Sequence, residues 1–279
     1  LLEQPVVFSD DYAISILGFN AACVFYDSLL PSVAEDSETN FASSLGYSLG
    51  YLGGGVLFTF NILMYSFPQF FGLTDSVQAI QFSFISVALW WGIFSIPLFK
   101  NIPEPASNNA HLSLWKASLK SLVELNHTVV DLFKRKNLLF FLIAYWLYID
   151  GVYTVITMAV DFGVSIGIKD NHLISALILV QFMGFPFALL FSKFSSWWGA
   201  KKPILICIAV YIFITFFASQ LQNVWQFYFL AILIGIVQGG VQALSRSLFA
   251  RMIPPESSGE YFGLFNLVGR FASILGPLI

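Results

Sequence analysis

The stretch Asn137–Val160, NLLFFLIAYWLYIDGVYTVITMAV, decides what kind of protein this is: it carries one charged residue, Asp150, in a run otherwise apolar or uncharged. A hydrocarbon core about 30 Å thick needs roughly 20 apolar residues per helical span. Inside lipid every backbone amide must be satisfied within its own segment, so the run reads as a transmembrane helix. Seven further runs read the same way, at about 11–32, 43–66, 78–99, 172–194, 203–220, 225–249 and 260–279. The apolar–polar alternation of a β-barrel strand is absent, and runs this long exclude a soluble α/β domain. Composition agrees. Hydrophobic residues make up 57 % of the 279-residue chain and charged residues 10 %, with a mean hydropathy of +0.78. A soluble domain carries about 25 % charge to cover its surface. The expectation is an all-α membrane protein, a polytopic helical bundle embedded in a lipid bilayer.

Several function classes fall away at once. A net charge of −3 offers no basic field for nucleic acid. Cys23 and Cys207 lie inside apolar runs and read as small apolar residues. His111, His127 and His172 fall in connections, so neither a buried metal site nor an intramembrane proton relay is expected, and no cofactor is implied. The chain starts Leu1-Leu2-Glu3-Gln4, with no basic region or cleavage motif of a signal peptide, and ends in mid-pattern at Gly276-Pro277-Leu278-Ile279. It reads as an internal piece of a longer protein.

Basic residues set the orientation. Lys100, Lys116, Lys120, Lys134, Arg135 and Lys136 occupy the longest connection; Lys193, Lys201 and Lys202 follow two spans later; Arg246 and Arg251 end the seventh span. Lys169 alone falls on the opposite side, and Arg270 lies within the last span. The crowded side is cytoplasmic by the positive-inside rule. The connection divides the chain into residues 1–99, three spans closing a first bundle; 100–136, a cytoplasmic interdomain loop; and 137–279, five spans of a second bundle. Within the loop, Trp115, Leu119, Leu122, Val129, Val130 and Phe133 recur at helical spacing, which predicts an amphipathic helix suited to the membrane interface. Pro103-Glu104-Pro105 is expected to end the third span sharply.

An ionised side chain in hydrocarbon costs a few kcal/mol or more, so each such residue marks a candidate function. Asn20 and Asp27 share a face of the first span. Asp150, Thr154, Thr157 and Asp161 form a stripe down the fourth, flanked by Tyr148 and Tyr153. Gln238, Gln242, Ser245 and Arg246 line the seventh, and Asn266 and Arg270 stand four apart on the last. The competing reading is structural: Asp27 and Asp161 lie near span ends where hydration is cheap, the glutamines can glue helices, and Arg270 can neutralise a buried carboxylate. Gly46, Gly50 and Gly54, with Gly239 and Gly240, fit the small-residue spacing of close helix packing. A short echo links Asp27-Ser28-Leu29 with Arg246-Ser247-Leu248, placing opposite charges at equivalent positions of two related halves.

Four segments carry a family likeness: Phe25-Tyr26-Asp27-Ser28-Leu29-Leu30-Pro31, the Gly46–Gly55 run, Tyr148-Ile149-Asp150-Gly151, and Gln238-Gly239-Gly240-Val241-Gln242-Ala243-Leu244-Ser245-Arg246-Ser247-Leu248-Phe249-Ala250. Together they resemble the branch of the major facilitator superfamily that holds the fungal autophagy-related vacuolar effluxers and many bacterial relatives. The resemblance implies a twelve-helix protein of two six-helix bundles, with the eight spans here as the fourth to eleventh. It puts Asp27, Asp150 and Arg246 on cavity-lining helices. The superfamily's Gly-x-x-x-Asp-Arg-x-Gly signature is eroded between Ser192 and Lys202, where Ser192 stands for the first Gly and Ser196 for the Asp.

The expected function is secondary transport of a small solute by alternating access, with amino acid export suggested by the fungal relatives and a coupling proton or cation. Asn20, Asp27, Tyr148, Asp150, Tyr153, Gln238, Gln242, Arg246 and Arg270 are the expected substrate or ion contacts. Arg246 or Arg270 would be the countercharge of Asp150 or a contact to a substrate anion. The location would be the inner membrane of a bacterium or the vacuolar membrane of a fungus. Two rivals remain, a non-transporting receptor or scaffold and a lipid-modifying membrane enzyme; the second lacks an intramembrane His or His/Asp cluster.

Overall fold

The computed structural model describes residues 6–102 and 113–278. Among these residues the chain is helical, with no strand. The helices are α1 (Val6–Ser28), α2 (Leu30–Val33), α3 (Thr39–Ser66), α4 (Ser76–Asn101), α5 (Leu114–Lys134), α6 (Lys136–Ser165), α7 (Asp170–Trp198), α8 (Lys201–Ala218), α9 (Val224–Ala250) and α10 (Ser258–Leu278). The Pro103–Pro105 turn and His111 lie outside the described residues.

Local chemistry explains the breaks. Pro31 has no N–H to donate and crowds the preceding turn. The span expected at 11–32 accordingly breaks at Leu29 into α1 and the short α2. Asp75 caps α4 by accepting from the Gln78 amide, and Asn223 with Gln226 forms a reciprocal cap on α9. Gly199, at φ +72°, ends α7 in a conformation that costs a side-chained residue more. Helices α6 and α7 overrun their sequence-derived limits, because a helix can continue past the hydrocarbon into the interface.

Seven helical segments are long and apolar enough to cross a membrane, Ala13–Val33, α3, α4, α6, α7, α8 and α9. The eighth expected span, α10, is not among them. Its 21 residues include Glu260, Asn266 and Arg270, which lower its apolar content.

Helix α9 is the hub. It packs against α7, α8, α3 and α6, while α10 packs along α6 and α1. Close approach is made by small residues: a Cβ on Gly240 would stand 2.6 Å from the Phe191 ring, one on Gly239 2.9 Å from Tyr51, and one on Gly235 2.9 Å from the Val180 carbonyl. On α3 the sequence assignment of packing glycines needs correction. Gly46 is tight, its Cβ position 2.8 Å from the Tyr26 hydroxyl, but Gly50 meets nothing within 4 Å and Gly54 meets only Gln181 at 4.0 Å. The i, i+4 spacing shows that glycines share a face, not that another helix covers it. Aromatic stacking fills the α6–α9–α10 seam, with Tyr145 over Phe265 at 4.2 Å and Phe249 over Phe265 at 4.7 Å.

Candidate functional site: a buried ion pair between the two groups of helices

Asp27 stands one residue from the end of α1, and Arg246 four residues from the end of α9, at the ends that the basic residues assign to the cytoplasmic side. The Arg246 Nη1 donates to Asp27 Oδ1 at 2.8 Å. The other carboxylate oxygen of Asp27 accepts from the Asn266 amide of α10 at 3.0 Å. Two more donors of the guanidinium go to α3, Nε to the Ser43 hydroxyl at 2.9 Å and Nη2 to the Ser43 carbonyl at 3.0 Å. Ser43 in turn donates to the Ala243 carbonyl of α9 at 2.7 Å. The Tyr47 and Tyr26 rings lie 4.7 and 5.4 Å from the guanidinium carbon. Only 4 % of Arg246 and 8 % of Asp27 is exposed.

A buried charge pair is tolerable only when its remaining hydrogen-bonding positions are filled. Here the partners come from four helices. Two belong to the first three long helices, α1 and α3, and two to the later ones, α9 and α10. Separating these groups would uncover both charges, so the pair ties α1 and α3 to α9 and α10.

Behind the pair, α9 presents its polar stripe to tyrosines. The Tyr51 hydroxyl donates to Gln242 Oε1 at 3.1 Å, Tyr153 and Tyr51 interact with Gln242 and Gln238, and the Tyr148 hydroxyl is 2.6 Å from that of Ser245. These contacts bring together α3, α6 and α9.

The expected residues therefore separate into three places. Asp27 and Arg246 meet directly; Gln238, Gln242, Tyr148 and Tyr153 form the adjacent polar run. Asp150 stands apart, 14 residues into α6, which at 1.5 Å per residue is about 21 Å from the cytoplasmic start of that helix. It forms no ion pair among the described residues, so the expected countercharge role of Arg246 is corrected: that guanidinium is paired with Asp27. Asp150 Oδ1 is buried without a hydrogen-bond partner, against the backbone of α10 at Gly276, where a Cβ would stand 3.1 Å away. Arg270 is exposed on α10, its guanidinium 5.6 Å from the Phe19 ring. Asn20 on α1 has a buried, unpartnered Oδ1.

Sequence reading passed over Ser43, Tyr47 and Tyr51. Serine is common in helices and gives no cost signal in lipid, but Tyr47 and Tyr51 stand four apart on α3, and with Ser43 before them that regular polar spacing is the clue that was available.

Two comparisons with known proteins bear on this arrangement. The profile of the family described as vacuole effluxer Atg22-like matches residues 35–279. The chain is 35 % identical to YxiO, an MFS-type transporter of Bacillus subtilis, across 96 % of this chain and 62 % of that protein. It is 28 % identical to autophagy-related protein 22-1 of Penicillium rubens, over 85 % of this chain and 43 % of that one. It is 26 % identical to autophagy-related protein 22 of Saccharomyces cerevisiae, over 88 % and 52 %. The chain thus spans less than two thirds of the length of these relatives.

Proposed function

The chain belongs to the vacuole effluxer Atg22-like family, and on that premise we propose that it is part of a secondary transporter that moves a small solute by alternating access. It is a multi-pass integral membrane protein of major-facilitator type. The observation that carries the reading is the Asp27–Arg246 pair, which joins the first group of spans to the second near one membrane face. In a carrier of two related halves, such a link closes one entrance while the other is open. The Tyr51–Gln242 contact joins the same two groups of helices one turn away along α9, and the Tyr148–Ser245 contact lies within the second group. Their amides and hydroxyls suit a polar solute bearing both donors and acceptors, and an amino acid is such a solute.

The buried, unpartnered Oδ1 of Asp150 on α6 supports a role in contacting the coupling ion. The test is transport of labelled amino acids by the full-length protein in proteoliposomes, with and without a pH gradient. Wild-type flux driven by the gradient is expected. Asp150→Asn should abolish coupled flux at unchanged expression, and unchanged flux would remove Asp150 from the mechanism. A protein that binds no solute and moves none would be a scaffold, with its polar stripes acting only as helix contacts.

A further inference from the structure

Helix α5 faces two ways. Thr128 and Leu132 are buried as it packs on α6 and α10. Trp115, Leu119, Leu122, Val130 and Phe133 are exposed, Trp115 by 74 % and Phe133 by 66 %. At about 100° per residue those five side chains fall within an arc of about 80°. Lys116, Lys120 and Lys134 fall together on one flank of that arc, away from the bundle. From Leu114 to Lys136 the chain carries five basic residues and two acidic ones. Both acids already have basic partners: Glu124 is 3.8 Å from Lys120, and Asp131 is 2.6 Å from Arg135. The surplus positive charge is therefore Lys116, Lys134 and Lys136, beside an apolar stripe in the connection that the basic residues assign to the cytoplasmic side.

The same helix is wired to the ion pair. Tyr261 of α10, 2 % exposed, donates its hydroxyl to Asp131 Oδ2 at 2.6 Å. Five residues further along α10, about 7.5 Å, Asn266 donates to Asp27. One rigid helix thus touches the interfacial helix at one point and the Asp27–Arg246 pair at another.

We propose that α5 binds the anionic phospholipid headgroups of the cytoplasmic leaflet, and that this seating acts through Tyr261 and α10 to hold the Asp27–Arg246 seam closed. The apolar stripe enters the acyl boundary and the flanking lysines meet phosphate, the arrangement that places an amphipathic helix in an anionic interface. Each lysine at such a surface raises partitioning about five-fold. The seam function rests on the transport reading; the lipid contact does not.

The experiment follows amide exchange by mass spectrometry in the full-length protein, in nanodiscs of phosphatidylcholine with or without phosphatidylglycerol. Phosphatidylglycerol is expected to slow exchange several-fold in α5 and in the segments around Asp27 and Arg246, and raised salt should reverse both. The triple substitution Lys116→Gln, Lys134→Gln, Lys136→Gln should remove both responses. Tyr261→Phe, which keeps the ring and loses only the hydroxyl, should keep the α5 response and lose that of the seam. An α5 that exchanges alike in both lipids would overturn the lipid site. A seam that still responds in Tyr261→Phe would overturn the route through α10. Neither result depends on flux, so a failure of the transport assay and a failure here are told apart.

Discussion

Helices α4 and α9 are equally hydropathic, yet none of the most apolar window of α4 is buried within the protein and 56 % of that of α9 is. Average hydropathy records the cost of placing a segment in water, and lipid and protein interior both relieve it. What separates the two helices is what they offer a neighbour. Helix α9 offers glycines that let Phe191 and the α7 backbone come close, and a polar stripe that finds Tyr51, Tyr148, Ser43 and Asp27. Helix α4 offers large side chains such as Phe84, Phe94 and Phe99, exposed by 75, 61 and 80 %. In lipid, where apolar area drives no association between helices, small residues and satisfied polar groups decide which helices pack.

That contrast can be broken most severely at Arg246. Arg246→Ala leaves Asp27 buried without its partner and should lower stability by about 3–5 kcal/mol, read as a fall in the thermal unfolding midpoint in detergent. Replacing both Asp27 and Arg246 by leucine should recover most of the loss while flux in proteoliposomes stays defective. A double variant as unstable as the single one would mean that the pair is not the unit holding the seam.

The next effect is steric. Gly240→Ala forces a Cβ against the Phe191 ring and should cost about 1–3 kcal/mol in the same unfolding measurement. The matched change on α4, Gly92→Ala, meets nothing within 4 Å. It should be neutral or stabilise by up to about 1 kcal/mol through helix propensity. Similar losses at the two glycines would erase the distinction between an uncovered and a packed helix.

Acidity gives a finer probe, at the contact of α5 with α10. The Tyr261 hydroxyl, and then Arg135, hold the Asp131 carboxyl below its usual value. A carboxylate whose folded value is depressed contributes stability that is present above the unfolded value, about 3.9. That contribution is lost as pH falls through the lower folded value. Exchange of the α5 amides should therefore accelerate below about pH 4 in the wild type beyond the intrinsic trend, and less so in Tyr261→Phe, where the main cause of the depression is gone. The change should be small, because Asp131 is near solvent.

Much of the site was legible before any coordinates, for a physical reason: a charged or amide side chain in hydrocarbon is costly enough to be noticed one residue at a time. Asp27, Asp150, Gln242 and Arg246 all declare themselves that way. Their partners did not. Whether Arg246 answers Asp27 or Asp150 depends on which helices lie side by side, and Ser43 and Tyr51 are ordinary residues until α3 lies against α9. The short echo between Asp27-Ser28-Leu29 and Arg246-Ser247-Leu248 came nearest, since it set opposite charges at related positions that the fold then joins at 2.8 Å.

Composition and run length by themselves determined that this chain is helical and that it lives in lipid, because those follow from the transfer cost of each segment taken alone. Tertiary structure alone decided that α9 is the hub while α4 is largely uncovered, that Gly46 is a contact and Gly50 is not, and that α10 links α5 to the ion pair. Those are properties of which surfaces meet, and meeting is set by the shape and hydrogen-bonding capacity of pairs of helices far apart along the chain.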